Sequence, residues 1–140
     1  MKKTIHVLFV CIANSCRSQM AESFFNQFAS KYKVDAVASS AGTIPAEEVN
    51  PLALQVLKEL NIIHHSNPKI LSNKMISDAD LIISMGCMAS DFCPAPFIPK
   101  TQDWNIDDPI SHPIEKFREV RDVIQEKVDI LLQELPKSEE

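Results

Sequence analysis

The amino-acid sequence predicts an α/β fold built around a parallel sheet. Short β-branched, apolar segments alternate with amphipathic segments of helical periodicity along the 140 residues. The stretches between successive strands are long enough to hold a helix, which is the connection that parallel strands require. The length fits one domain, which we expect over residues 1–136, followed by a loose acidic tail at residues 137–140.

Two different periodicities predict the first elements of the chain. Thr4–Val10 is β-branched and apolar, as is typical of a strand buried on both faces. From Ser18 to about Lys31, apolar residues recur every four positions and predict an amphipathic helix. Val34–Ser40 is a second short run of this strand type. The residues with the helical spacing are Met20, Phe24 and Phe28.

The middle of the chain predicts two more helices and a third strand. Asn50 is typical of a helix N-cap, and Pro51 is typical of the first helical position. Ser72–Asp78 predicts a further short helix, and Leu81–Met85 has the character of a third buried strand. The apolar face of the helix that follows Asn50 is expected to contain Leu52, Val56 and Leu60.

A loop, a short strand and a long helix complete the predicted order. Gly86–Lys100 contains three prolines and is expected to be a loop, whereas Thr101–Trp104 predicts a last strand. Pro113 begins and Pro136 ends a helix with a continuous apolar face. That face is formed by Ile114, Phe117, Val120, Ile124, Val128, Leu131 and Leu135.

Composition and charge exclude several classes of function. The net charge is −5 and no basic stripe is present, so we expect no nucleic-acid partner. The longest apolar run, Val7–Ala13, is too short to cross a membrane, so we expect a cytoplasmic protein without membrane contact. The two glycines, Gly42 and Gly86, are too few for glycine-rich nucleotide loops. The four cysteines leave disulfides, metal ligands and redox chemistry as alternatives, of which stable disulfides are disfavoured in the cytoplasm.

The segment between the first strand and the first helix has the features of an oxyanion site. Residues 11–18 read Cys-Ile-Ala-Asn-Ser-Cys-Arg-Ser, which is a Cys-x5-Arg-Ser pattern. A short loop that leads into a helix N-terminus presents backbone N–H groups that can surround an anion. We therefore expect an oxyanion to be bound by Ile12, Ala13, Asn14, Ser15, Cys16, Arg17 and Ser18.

Individual side chains of this loop predict nucleophilic chemistry. The positive field of the helix start favours the thiolate of Cys11, which is the expected nucleophile. Arg17 offers a planar fork for two oxygens, and Ser18 can donate a hydrogen bond to the thiolate. Asn14 tolerates left-handed backbone angles, and Cys16 is expected to be a packed bystander. The competing interpretation is a buried cysteine at a strand end beside a solvated arginine.

Several segments resemble one family in the same order along the chain. They are Asn14–Glu22, Ser40–Thr43, Val49–Pro51, Trp104 and Asp107–Pro109. Together they resemble the arsenate reductases that are related to low-molecular-weight protein tyrosine phosphatases. The resemblance covers nearly the whole chain and implies a three-layer α/β fold, with a four-stranded parallel sheet and helices on both faces.

The resemblance also implies roles for particular residues. Cys11 would be the nucleophile, Arg17 would clamp the oxyanion, and Asp108 would be the general acid. Cys87 and Cys93 would carry a disulfide relay, with thioredoxin, or glutathione with glutaredoxin, as the reductant. No cofactor and no metal is expected, the substrate is an arsenate- or phosphate-like oxyanion, and we expect a monomer.

One departure from the family pattern affects the relay. Relatives that use thioredoxin have a cysteine directly after the third strand, where this chain has Gly86, and Cys87 follows one position later. Because a shift of one residue reverses a side chain on an extended segment, the role of Cys87 is less secure than that of Cys93. We interpret His64 and His65 as surface residues rather than ligands.

Two other functions are compatible with the residues. A phosphatase would need only Cys11, Arg17 and Asp108, and would end with water attacking a phosphocysteine. In phosphatase members, aromatic residues flank phosphotyrosine at the position of Ile110. The aliphatic Ile110 therefore argues against phosphotyrosine as the substrate. A zinc module that uses all four cysteines is disfavoured, because the five-residue gap between Cys87 and Cys93 exceeds the usual spacing.

Overall fold

The computed structural model describes residues 4–86 and 101–137. Their sheet has four parallel strands in the order β2-β1-β3-β4. The strands are β1 (Ile5–Cys11), β2 (Ala36–Gly42), β3 (Leu81–Ser84) and β4 (Thr101–Asp103). The helices are α1 (Arg17–Phe28), α2 (Pro51–Lys58), α3 (Asn73–Asp78) and α4 (Ile114–Glu134). The predicted fold class is confirmed.

The side chains of β1 point alternately to the two faces of the sheet, and the core is divided into two layers accordingly. Val7 and Phe9 face the larger layer, which is filled by residues of α1, α2 and α4. Leu8 and Val10 face the smaller layer, against which residues of α3 pack. Because successive side chains of a strand point to opposite faces, an uninterrupted apolar run is what a strand covered on both sides needs.

Local hydrogen bonds explain where two of the helices begin. The Asn50 side chain accepts a hydrogen bond from the N–H of Leu52, as predicted for the N-cap of α2. Ser72, which was expected inside α3, is instead its N-cap and accepts from the N–H of Met75 at 3.1 Å.

Several predicted boundaries and faces differ from the structure. α1 ends at Phe28 rather than near Lys31, and Lys33 in the turn that follows has a φ of 57°. Leu60 does not belong to the apolar face of α2, because that helix ends at Lys58 and Leu60 is 37% exposed. The predicted loop from Gly86 to Lys100 lies, from residue 87 onward, outside the described residues.

The apolar face of α4 contains a buried arginine that the periodicity does not predict. Arg121 is 8% exposed and donates hydrogen bonds to the Val56 carbonyl oxygen and to Glu59. A buried guanidinium is tolerated there because the carbonyl at the end of α2 and a carboxylate both accept from it.

Candidate active site

The loop from Cys11 to Arg17 lies at the carboxyl end of β1, between β2 and β3. Its carbonyl groups are held by the segment that follows β2. The carbonyl oxygens of Ile12 and Ala13 accept from the N–H groups of Ile44 and Ala46, each at 2.9 Å. That of Ser15 accepts from Asn50 at 2.8 Å.

These carbonyl contacts determine where the loop N–H groups point. In a trans peptide the N–H points opposite to the carbonyl of the preceding residue. The N–H groups of Ala13, Asn14 and Cys16 are therefore directed away from the segment that follows β2. That of Asn14 points at the Cys11 sulfur, 3.1 Å away.

Asn14 is the residue that fixes the loop. It is fully buried and has a φ of 52°, which is the left-handed conformation that the sequence predicts. Its Nδ2 donates to Ser18 Oγ at 2.7 Å, and its Oδ1 accepts from the N–H of Lys69 at 2.9 Å. Gln19 Nε2 donates to the Asn14 carbonyl oxygen at 3.0 Å and to Oδ1 at 3.2 Å.

The sulfur of Cys11 is surrounded by donors. Cys11 is 4% exposed, and its Sγ lies 2.9 Å from Ser18 Oγ. Because Ser18 Oγ already accepts from Asn14, its own hydrogen is available for the sulfur. The sulfur thus accepts from Ser18 and from the N–H of Asn14.

Arg17 connects the loop with two other segments. Its Nη1 donates to the carbonyl oxygen of Ile106 at 2.8 Å and to that of Met85. Both hydrogen bonds use Nη1, so the opposite edge of the guanidinium, formed by Nε and Nη2, is turned to a different side. Among the described residues, the contact of that edge is Asp108 Oδ2, 3.7 Å from Nη2.

Gly86 permits this placement of Arg17. It has a φ of 103°, and a Cβ there would lie 3.3 Å from Arg17 Nη1 and 3.0 Å from the carbonyl oxygen of Ile106. Gly42, at the end of β2, likewise leaves room for the backbone of the loop. A Cβ on Gly42 would meet the Ile12 carbonyl oxygen at 2.4 Å. The two glycines of the chain therefore both lie where backbone approaches the site.

Asp108 lies at the rim of a cavity of about 500 Å³ above the loop. Cys11, Arg17 and Ile110 also line the cavity. The Asp108 side chain is 53% exposed, and its Oδ1 accepts from the N–H of Ile110 at 3.1 Å. The carboxylate therefore closes a turn with one oxygen while the other faces Arg17.

Cys16 differs from Cys11 although both thiols are buried. Burial raises the pKa of the Cys16 thiol well above its ordinary value, and the nearby charge of Asp108 raises it further. Cys16 therefore stays protonated at neutral pH. This agrees with its interpretation as a packed thiol.

One cavity is lined by Cys11, Arg17 and Asp108 and by residues of the loop that joins Cys11 to Arg17. Cys87 and Cys93 lie outside the described residues. The described part of the chain contains no group of three metal-binding side chains. Within the same residues, no helix is long and apolar enough to cross a membrane.

The interpretation of both histidines as surface residues is wrong for His64. Its Nε2 lies 2.5 Å from Gln19 Oε1, its Nδ1 contacts Ser23 Oγ, and the ring is half-buried. His65 is exposed, as expected. Sequence reasoning also missed Gln19, although a polar residue among the buried positions of α1 is a signal that it has a hydrogen-bonded role.

Two known proteins named arsenate reductase resemble this chain over most of its length. An arsenate reductase of Staphylococcus aureus (strain Newman) is 37% identical over 126 residues, covering 89% of this chain and 92% of that protein. The solved structure of an arsenate reductase in the phosphate binding state has a TM-score of 0.79 and 29% identity, covering 95% of this chain and all of the other.

A further solved structure shares the fold, and a family model matches nearly the whole chain. A YwlE mutant from Bacillus subtilis matches with a TM-score of 0.84 at 23% identity, over 93% of this chain and 97% of the other, which supports the fold alone. The family described as low molecular weight phosphotyrosine protein phosphatase matches residues 6–140. The chain, in which Cys11, Arg17 and Asp108 line one cavity, therefore belongs to the low molecular weight phosphotyrosine protein phosphatase family of enzymes.

Proposed function

We propose that this protein is an arsenate reductase that converts arsenate to arsenite for arsenic detoxification. The observation that carries the proposal is the Cys11 sulfur, which accepts two hydrogen bonds at the base of an inward-facing loop. The relatives named arsenate reductase, at 35% and 37% identity, support arsenate as the substrate.

The loop suits a small tetrahedral anion. The N–H groups of Ala13 and Cys16 are directed away from the segment that follows β2, and α1 begins at Arg17. The Nε–Nη2 edge of Arg17 matches two oxygens of such an anion. In this account residues 12–18 hold arsenate with one face of the arsenic turned to Cys11.

The first chemical step forms an arsenic–sulfur bond. The Cys11 thiolate attacks the arsenic of hydrogen arsenate, and the bond from arsenic to the hydroxyl oxygen breaks, so that this oxygen leaves as water. Asp108, at the rim of the cavity, supplies a proton to that oxygen. Arsenic is still pentavalent in the resulting arseno-cysteine, so this step alone reduces nothing.

The second step moves two electrons to arsenic. A thiolate of Cys87 attacks the Cys11 sulfur, the sulfur–arsenic bond breaks, and its electron pair stays on arsenic, which leaves as arsenite. The two cysteines are thereby oxidised to a disulfide. Cys93 then attacks Cys87 and frees Cys11, and thioredoxin, or glutathione with glutaredoxin, reduces the Cys87–Cys93 disulfide. The cycle needs no bound cofactor.

Steady-state assays with purified protein test this proposal. We expect arsenite to form with thioredoxin, thioredoxin reductase and NADPH, and turnover to be lost in Cys11→Ser, Cys87→Ser and Cys93→Ser. The same assay with glutathione and glutaredoxin identifies the reductant. Full thioredoxin-coupled turnover in both Cys87→Ser and Cys93→Ser would contradict the relay.

A matched measurement separates loss of chemistry from loss of the site. Inorganic phosphate has the shape and charge of arsenate and should raise the melting temperature of Cys87→Ser as much as that of the wild type. A variant that is still stabilised by phosphate but does not turn over has kept the loop of residues 11–18 intact. Such a variant has lost only the disulfide relay.

The family assignment favours a phosphatase as the second candidate. Such an enzyme would use Cys11, Arg17 and Asp108 in the same positions, and water would release phosphate from a phosphocysteine. Fast hydrolysis of an aryl phosphate without reductant, undiminished in Cys87→Ser, would favour this function. The aliphatic side chain of Ile110, which lines the cavity, argues against a phosphotyrosine substrate.

A further inference from the structure

A chain of hydrogen bonds leads from the site to a histidine on the far side of α1. We propose that His64 is a positioning residue for Cys11, acting through Gln19 and Asn14. The proposal rests on the proposed function for the reaction that Cys11 performs. The geometry itself stands on hydrogen bonds within the described residues.

The direction of each hydrogen bond in this chain follows from its partners. The backbone N–H of Lys69 can only donate, so the Asn14 atom that it contacts is the oxygen Oδ1. The Gln19 atom that contacts Asn14 O and Oδ1 must then be the donor Nε2. Gln19 therefore turns its oxygen toward His64, whose Nε2 must carry the hydrogen.

The remaining ring nitrogen completes the arrangement. With the hydrogen on Nε2, Nδ1 of the neutral ring accepts from the Ser23 hydroxyl. His64 is thus fixed in one tautomer by two residues of α1. Burial lowers the pKa of His64, so the ring is neutral at neutral pH.

The same donor direction continues in the hydrogen bonds that lead from Gln19 to the sulfur of Cys11. Gln19, held by His64, donates to both oxygens of Asn14, and Asn14 Nδ2 donates to Ser18 Oγ. Ser18 is left with its hydrogen directed at the sulfur. Asn14, Ser18 and Gln19 are each fully buried, so a broken bond in this chain cannot be replaced by water without opening the fold.

At the end of the hydrogen-bond chain that is remote from Cys11, His64 lies next to an open cavity. This second cavity, of about 450 Å³, is lined by Glu22 and Ser23 of α1 and by residues 62–66. The charged and titratable groups that act on His64 are Glu22 from α1, and Lys69 and His65 from its own segment. Of these, Glu22 favours the protonated ring, whereas Lys69 and His65 disfavour it.

A matched pair of amide substitutions tests the positioning role. In His64→Gln the side-chain amide reaches the place of Nε2 and can still donate to Gln19. In His64→Asn the amide reaches only the place of Nδ1, so the polarity is retained and the contact with Gln19 is lost. His65→Asn is the control, because His65 is exposed and adjacent.

The readout is the rate at which iodoacetamide alkylates Cys11 between pH 5 and 9, resolved by mass spectrometry. We expect His64→Asn to lower the rate at pH 7 about fivefold and to move the profile to higher pH, since one hydrogen bond to the chain is lost. His64→Gln and His65→Asn should stay within about twofold of the wild type. Thermal melts show whether each variant is folded.

The outcomes separate this inference from the proposed function. A profile of folded His64→Asn that coincides with those of His64→Gln and the wild type would overturn the positioning role, whatever the protein does with arsenate. The expected shift in a protein that fails to reduce arsenate would support the positioning role and count against the reductase.

Discussion

Two polar clusters of this protein have similar chemistry and very different surroundings. The first is the loop network, which consists of Asn14, Ser18 and Gln19, all fully buried. The second is the helix seam between α2 and α4, where Glu59 accepts from Arg118 and Arg121. The side chains of Glu59 and Arg118 are 31% and 41% exposed.

Burial determines how much the loss of a polar contact costs. A group in the loop network that loses its partner is left unpaired away from water, which costs more than the bond itself contributes. Glu59 and Arg118 in the helix seam are partly exposed. Either of them is solvated when it loses its partner, and ions screen what remains. We therefore expect substitutions to have large effects on the loop network and small effects on the helix seam.

Removal of the Asn14 side chain should have the largest effect. Asn14→Ala leaves the N–H of Lys69 without its acceptor, removes one of the two acceptors of Gln19 Nε2, and places alanine in a left-handed conformation. We expect a loss of about 3 kcal/mol in the free energy of unfolding. Urea denaturation measures this, with exposed Asn67→Ala as the control. Equal effects in the two variants would contradict the importance of burial.

A methyl group beside the loop should have the next largest effect. In Gly42→Ala the new Cβ would approach the Ile12 carbonyl oxygen to 2.4 Å, so the loop must move. We expect a loss of about 2 kcal/mol in stability and weaker binding of phosphate, measured by titration calorimetry. Ser39→Ala, at an exposed position of the same strand, is the control. Unchanged phosphate affinity would mean that the loop does not depend on this close approach.

Acid should weaken the loop network through His64. Because burial lowers the pKa of His64 in the folded protein, the unfolded chain takes up the proton first as the pH falls. The stability contributed by the neutral ring is therefore complete above the ordinary value of 6.5 and is lost as the pH falls through the lower value in the folded state.

The measurement is the free energy of unfolding of wild type and His64→Gln between pH 8 and 5. We expect the wild type to lose stability faster than the variant on acidification, because glutamine has no proton to take up. The exposed His65→Gln should follow the wild type. Parallel curves for wild type and His64→Gln would show that His64 does not titrate differently on folding.

The helix seam should give the smallest effect. Hydrogen bonding from Arg118 lowers the pKa of Glu59, so its small contribution is present above pH 4.5 and is lost on further acidification. In Glu59→Gln the amide oxygen can still accept from the buried Arg121. We expect this variant to lower the melting temperature by only a fraction of the effect of Asn14→Ala, and less still in about 1 M salt. A loss as large as that of Asn14→Ala would erase the contrast between the clusters.

The parts of the site that are local in sequence could be predicted from it. The end of β1 at Cys11 and the positive φ of Asn14 follow from a buried strand, a short loop and a helix start that are contiguous. The N-cap of α2 follows from Asn50-Pro51 for the same reason. The predicted proximity of Asp108 depends on the resemblance, since nothing local ties residue 108 to residue 11.

The features that were missed depend on contacts between distant segments. His64 is polar and lies in a turn, so only its packing against α1 shows that it bonds Gln19. Arg121 is buried because α2 ends with an open carbonyl at Val56, which periodicity within α4 cannot reveal. Leu60 follows Leu52 and Val56 at the same four-residue spacing, but α2 ends at Lys58. Beyond the end of a helix this spacing does not place a side chain on the buried face, and Leu60 is exposed.

Single turnover without an external reductant tests the reductase proposal most directly. Reduced protein is mixed with excess arsenate, quenched with an alkylating agent, and analysed for arsenite and for disulfide-linked peptides. We predict about one equivalent of arsenite per protein, since one dithiol carries the two electrons that arsenate needs, and disulfides that involve Cys11, Cys87 and Cys93. Absence of arsenite, together with hydrolysis of an aryl phosphate that is equally fast in wild type and Cys87→Ser, would contradict the account.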